Sequence, residues 1–270
     1  MKIIEIAPLH KNAGRMTGYL HDQYPQSLPG RVCRPCVLVL PGGAYQFVSE
    51  RESDPIAFKF LSHGYHAFIL DYSVGGEGKP AVGLQALSEV AEALAIIRQH
   101  AEEWGIIPNQ IAVCGFSAGG HLAASSGILW KDAELQEERG GKKPERPDAM
   151  LLCYPVITPG EFAHRGSFDN LTGGDERLLR YFKLEKRVDA DTAPAFVWHT
   201  VEDPAVPVEN SLLLADALQR AKVPFECHLF NHGGHGLSLC NEEVGTPEPR
   251  SAPWMDLAIA WLDDRFAFRP

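Results

Sequence analysis

No apolar run in this sequence of 270 residues reaches the ~20 residues that a bilayer-spanning helix needs, and this predicts a chain without a membrane segment. Positive charge is scarce and dispersed: 25 Lys and Arg stand against 35 Asp and Glu, a net charge of −10. The densest basic stretch, Lys142, Lys143 and Arg146, is short and broken by Pro144 and Glu145. An acidic surface repels phosphate backbones, so no nucleic-acid partner is expected. The N-terminus lacks both the apolar core of roughly 7–15 residues and the small-residue cleavage site of a secretory signal, so the mature chain is expected to start at Met1 in the cytoplasm. There is no internal repeat, low-complexity tract or clean domain boundary. Hydrophobic residues make up 45% and charged residues 22%, which excludes disordered, collagen-like and coiled-coil architectures.

Cysteine is also sparse. The six are Cys33, Cys36, Cys114, Cys153, Cys227 and Cys240, and only the pair Cys33 and Cys36 has a suggestive spacing. A redox pair normally opens a helix, where the dipole favours the thiolate. This one precedes the apolar run Val37 to Leu40, which reads as a strand. No second ligand pair follows at the spacing of a zinc site, so no metal is expected. Cys114 and Cys153 lie in apolar runs and read as core.

What the sequence does contain is a regular alternation. Short β-rich runs occur at 37–40, 66–72, 111–114, 149–154, 195–200 and 225–230. Between and after them lie amphipathic stretches. In one of these Leu87, Val90, Ala91, Leu94 and Ile97 repeat at helical spacing and end before Gly105. Residues 118–129, 211–221 and 254–266 read as further helices. Apolar strands alternating with helices predict an α/β domain spanning 1–270, with a central, mostly parallel sheet covered on both faces. The first twenty residues supply an edge strand or two. Residues 131–147 read as a charged surface loop. Residues 157–192 are too long for a simple strand connection and are expected to form a small cap-like insertion over the top of the sheet.

The strongest chemical signal is Gly115-Phe116-Ser117-Ala118-Gly119, a G-x-S-x-G pattern between a buried strand and a helix-competent run. This pattern places a serine on a strand-to-helix turn so sharp that residues two positions away must lack side chains. A neutral hydroxyl is a poor nucleophile and needs a base. His235, in the Gly-rich loop after the last strand, fills that role, with His232 as the local rival. His63, His66, His100, His121 and His199 read as structural or surface. The base needs an acid to orient it, and Asp203 follows the strand 195–200, with Glu202 as its alternative. The order Ser117, Asp203, His235 is that of α/β-hydrolases. Pro41-Gly42-Gly43-Ala44-Tyr45 follows an earlier strand. Its backbone N–H groups, Gly43 with Gly42 as a further donor, would join that of Ala118 in an oxyanion hole, with Tyr45 lining the site.

At these residues the sequence resembles the α/β-hydrolase superfamily, and within it the small esterase/lipase group that includes acetyl esterases, acetyl-xylan esterases and hormone-sensitive-lipase-like enzymes. The resemblance runs from Val37 to about Trp261 and is carried by residues 41–45, 64–72, 115–122, 203–208 and His235-Gly236. The stretch Asp203-Pro204-Ala205-Val206-Pro207 resembles the group's D-x-x-V-P around the acid, which favours Asp203 over Glu202. The resemblance likewise favours His235 over His232. Many relatives have His-Gly-Gly where this chain has Pro41-Gly42-Gly43, and the long N-terminal cap of the larger members is missing. The resemblance implies a fold of about eight strands with helices on both faces. It further implies a cofactor-free serine hydrolase of short acyl esters, with a small-molecule ester substrate such as an acetylated sugar or xylan oligomer. A feruloyl esterase, a kynurenine-formamidase-like amide hydrolase and a catalytically dead binding protein on the same fold are the alternatives. A homo-oligomer is compatible with the sequence.

Overall fold

A computed structural model describes residues 1–269 apart from 8, 10, 12 and 23–32. Eight strands are described: β1 (Lys2–Ile6), β2 (Arg15–Leu20), β3 (Arg34–Leu40), β4 (His66–Asp71), β5 (Ile106–Phe116), β6 (Ala149–Cys153), β7 (Ala195–Thr200) and β8 (Phe225–Phe230). They form one sheet in the order β1-β2-β4-β3-β5-β6-β7-β8. Among the described strands, β2 runs against its neighbours β1 and β4, and the rest pair in parallel. The expected eight-stranded, mostly parallel α/β sheet is what forms.

The period-two pattern of the central strands divides their side chains between two cores. From β3, Leu38 and Leu40 join one core and Val37 and Val39 the other. The first core is covered by α2 (Gln85–Gln99), α4 (Ala118–Ile128) and α8 (Glu209–Ala221). The second is covered by α1 (Asp54–Ser62) and α9 (Trp254–Phe266), with Trp254 stacked on Trp198 of β7 at 5.0 Å. Because both faces are buried, these strands are apolar throughout rather than alternating. Each fully buried Leu, Val or Phe contributes about 1.5–3 kcal/mol.

Three elements depart from the sequence reading. Helix α1 was not expected; its signature is local, with Asp54 in the first turn and Pro55 where a missing N–H costs nothing. The charged loop 131–147 contains a short helix, α5 (Ala133–Glu138), with Leu135 buried. Strand β5 begins at Ile106, five residues earlier than its apolar run, and the register against β3 shifts between Arg34 and Cys36. A one-turn helix, α3 (Ala101–Trp104), separates α2 from β5 and ends on Gly105 at φ 66°.

The long connection between β6 and β7 holds α6 (Arg165–Thr172) and α7 (Glu176–Tyr181). Phe168, Leu171, Phe182 and Leu184 from it are buried in the first core. The Asn170 amide donates to the Ala44 carbonyl at 2.9 Å, so this segment is pinned to the turn after β3. No described helix is long and apolar enough to cross a membrane.

Candidate active site

Parallel strands deliver their following loops to one edge of the sheet, and here the C-terminal ends of β3, β5, β6, β7 and β8 do so together. Ser117 comes directly after β5, at the N-cap of α4, with φ 54° and ψ −117°. Such a backbone is strained for any residue with a Cβ. The turn is tight enough to dictate its flanking glycines. A Cβ on Gly115 would lie 2.2 Å from the Gly119 carbonyl oxygen, and one on Gly119 would lie 2.1 Å from that of Leu40. The G-x-S-x-G spacing is thus a record of backbone packing. Ser117 itself is 7% exposed.

His235 Nε2 lies 2.8 Å from Ser117 Oγ, and His235 Nδ1 lies 2.6 Å from Asp203 Oδ2. The three residues singled out in the sequence are therefore brought into one hydrogen-bonded line across 118 residues of chain. Their rivals stand apart: His232 pairs with Glu202 at 3.1 Å, an exposed contact. The other Asp203 oxygen accepts the backbone N–H groups of Ala205 and Val206, each at 2.9 Å. Burial alone would raise the Asp203 pKa. Hydrogen bonds from His199 and His235 outweigh it, and the carboxyl is held well below its usual range.

The turn after β3 behaves differently from its sequence reading in two respects. The Gly42 N–H donates to the buried Glu52 carboxylate at 2.7 Å, which removes it from the free donors. Among the described residues the N–H groups of Gly43 and Ala118 donate to no protein acceptor. Ala118 opens α4, where the helix dipole adds partial positive charge. Tyr45, expected to line the site, is instead buried at 1% exposure beneath the turn. Its hydroxyl lies 2.8 Å from His121 Nδ1, and His121 Nε2 lies 3.3 Å from the Phe182 carbonyl oxygen. Burial, partly offset by that carbonyl, pushes the His121 pKa down to about 4. The Tyr45–His121 pair therefore ties the turn, α4 and the β6–β7 connection together.

Three residues near Ser117 were not anticipated. Glu52 is 3% exposed and accepts from Tyr154 Oη at 2.6 Å as well as from Gly42. Tyr154 accepts the Ser238 N–H at 2.9 Å and packs edge-on against the His235 ring at 5.1 Å. Glu52 therefore connects the β3 turn to the histidine loop. His164, from the β6–β7 connection, lines the cavity with Ser117 and His235. Its Nδ1 accepts the Ser167 N–H at 3.3 Å as the cap of α6, which leaves the proton of the neutral ring on Nε2. Burial, followed by the neighbouring His235, lowers the His164 pKa. In sequence, Glu52 sits in the charged run Glu50-Arg51-Glu52, where nothing separates it from its solvated neighbours.

The cavity over Ser117 has a volume of about 640 Å³. Phe47 and Val48 form its apolar wall, and Ser49, Arg51 and His164 supply polar groups. Strain is concentrated around it: Ala44, Tyr45, Ser117, Tyr154, Ser238 and Cys240 all have positive φ. Among the described residues no three His, Cys, Asp or Glu side chains come together as a metal site.

This strand order, with a serine elbow after β5, defines the α/β-hydrolase fold class. Two family profiles match the chain, BD-FAE over residues 24–156 and the prolyl oligopeptidase family over residues 153–267. Among solved structures, an acetyl ester-xyloside bifunctional hydrolase from Caldicellulosiruptor lactoaceticus is 35% identical with a TM-score of 0.80, covering 97% of this chain and 91% of that one. MGS-M1, an alpha/beta hydrolase enzyme from a Medee basin deep-sea metagenome library, is also 35% identical, with a TM-score of 0.79 and coverage of 99% and 98%. Endo-1,4-beta-xylanase B of Butyrivibrio fibrisolvens is 37% identical over 83% of this chain and 35% of its own length. The chain spans roughly a third to a half of the length of the curated relatives it matches. The chain belongs to the α/β-hydrolase family, in the esterase group.

Proposed function

We propose that the protein is a serine hydrolase of short acyl esters, acting on acetyl groups carried by sugars or xylan oligomers. Ser117 Oγ attacks the ester carbonyl while His235 Nε2 takes its proton. The backbone N–H groups of Gly43 and Ala118 stabilise the tetrahedral oxyanion. His235 then returns the proton to the leaving alcohol, and the acyl group stays on Ser117 as an ester. Water, deprotonated by His235, attacks the acyl carbonyl; the bond to Ser117 Oγ breaks, His235 returns the proton to Ser117 Oγ, and the acid is released. Asp203 holds the His235 ring in the tautomer with its proton on Nδ1 and stabilises the imidazolium. A hole of this type supplies about 2.7–4 kcal/mol per donor.

The observation that carries this reading is the unbroken line Ser117–His235–Asp203 at 2.8 and 2.6 Å, at the edge of a cavity. The substrate class is supported by the named activity of the acetyl ester-xyloside hydrolase and by the xylanase relationship. A cavity of about 640 Å³ is much larger than an acetyl group needs, and its mixed lining suits a hydroxylated alcohol portion. The test is a rate series on p-nitrophenyl acetate, butyrate, octanoate and ferulate and on acetylated xylan oligomers, with Ser117→Ala as control. A maximum at acetate with release from the oligomers, lost in Ser117→Ala, is expected. Activity confined to the ferulate ester, or wild-type rates in the variant, would overturn it.

A further inference from the structure

We infer that His199 is a positioning residue that tunes the Asp203 carboxylate and, through it, the basicity of His235; this rests on the hydrolase reading above. His199 sits next to the end of β7, four residues before Asp203, with its ring fully buried. Its Nε2 lies 3.2 Å from Asp203 Oδ2 and 3.0 Å from the Val206 carbonyl oxygen. A carbonyl and an ionised carboxylate can only accept, so Nε2 carries a proton shared between them. On the far side of the ring, Nδ1 lies 2.8 Å from Ser211 Oγ, which fixes the ring plane from the first turn of α8.

Two imidazoles therefore converge on a single oxygen, since Asp203 Oδ2 also receives His235 Nδ1 at 2.6 Å. Each donor draws charge from the carboxylate. The bond from His199 makes Oδ2 a weaker acceptor for His235, and a weaker acceptor stabilises the His235 imidazolium less. Loss of the His199 donor is therefore expected to raise the proton affinity of His235. A histidine kept neutral is one that can take the Ser117 proton. The other charged and titratable groups near this pair contact it elsewhere. Tyr154 packs on the His235 ring with Glu52 behind it. His164, Glu50 and Arg51 line the cavity, and Glu202 is paired with His232. None of these donates to Asp203.

The test is a pH titration of His235 by NMR in histidine-labelled wild type, His199→Gln and His199→Asn. A glutamine amide reaches the place of Nε2 and keeps the donor. An asparagine reaches only the place of Nδ1, keeping Ser211 and losing Asp203. The His235 midpoint is expected to rise by about 0.5–1 pH unit in the asparagine variant and to stay near wild type in the glutamine variant. The acid limb of kcat/KM for p-nitrophenyl acetate should move with it. Equal midpoints in wild type and His199→Asn, or equal shifts in both variants, would overturn the inference. The wild-type nitrogen spectrum tests it without any variant: His199 Nε2 must stay protonated throughout the titration of His235, and a bare Nε2 would refute it. Absence of esterase activity would remove the hydrolase reading and leave these NMR outcomes intact, whereas an active enzyme with an unshifted His235 would remove the inference alone.

Discussion

Replacing Ser117 by glycine should leave the protein more stable than replacing it by alanine. At φ 54° and ψ −117°, Ser117 occupies backbone space that any Cβ disfavours. Such strain costs about 1–3 kcal/mol. Alanine keeps the Cβ and hence the strain, whereas glycine releases it. Against this, glycine loses more backbone freedom on folding, roughly 0.5–1 kcal/mol relative to alanine. The difference leaves Ser117→Gly more stable than Ser117→Ala by up to about 2.5 kcal/mol. With a urea slope near 3 kcal/mol per M, this is a midpoint difference of up to ~0.8 M. Both variants should lose hydrolysis by at least ~10⁴-fold, because each lacks the nucleophile. Paired urea titrations followed by tryptophan fluorescence measure the difference directly. A Ser117→Gly protein less stable than Ser117→Ala by the ordinary 0.5–1 kcal/mol would show that the turn stores no strain, and the steric account of the elbow would fail with it.

Glu52→Gln leaves one of two buried donors, the Gly42 N–H or the Tyr154 hydroxyl, without an acceptor. It should lower stability by about 1–3 kcal/mol in thermal or urea unfolding and reduce kcat/KM; an unchanged midpoint would place Glu52 outside the network. Gly119→Ala puts a Cβ 2.1 Å from the Leu40 carbonyl oxygen and 2.3 Å from that of Pro41, both rigid backbone. It should cost at least ~2 kcal/mol and move Gly43 away from Ser117, cutting hydrolysis by about 10²-fold or more; a wild-type rate would contradict this packing. His66 and His121 are held neutral, each with a pKa pushed down to about 4 by burial. Below pH ~6.5 the unfolded chain takes up protons at these two sites that the folded chain refuses, so stability is full above that pH and falls as pH drops toward 4. The loss adds over the two residues, and a flat urea midpoint between pH 7 and 4.5 would exclude it.

The parts of the site that could be read from the sequence are those whose chemistry demands a local pattern. Ser117 announces itself because the backbone around it leaves room only for Gly115 and Gly119. Asp203 follows the buried strand β7 and His235 the half-buried edge strand β8, parallel neighbours, so topology carries them to the same edge. The central strands β3, β6 and β7 were legible because burial on both faces makes them short, mainly apolar runs. What the sequence conceals is the pairing of residues whose partners lie far along the chain. Gly42 and Gly43 look equivalent, yet one N–H is taken by Glu52 and the other is free. Tyr45 stands beside the oxyanion turn in sequence, but its positive φ of 56° turns the side chain beneath the turn to His121.

The concealed residues share one function in the fold: they connect loops that different strands deliver. Glu52 bridges the β3 turn to Tyr154 after β6, and Tyr154 supports the loop carrying His235. Tyr45 and His121 join the same turn to α4 and to the Phe182 carbonyl. His199 and Ser211 hold Asp203 from β7 and α8. Strained backbone at Ala44, Ser117, Tyr154 and Ser238 persists only where the surroundings over-determine it. Buried hydrogen bonds between loops supply that constraint, because an unpaired donor in such a place costs about 1–3 kcal/mol, comparable to the strain itself. The geometry of Ser117, His235 and Asp203 is therefore a property of the network around them, and substitutions in that network should impair hydrolysis without touching any of the three.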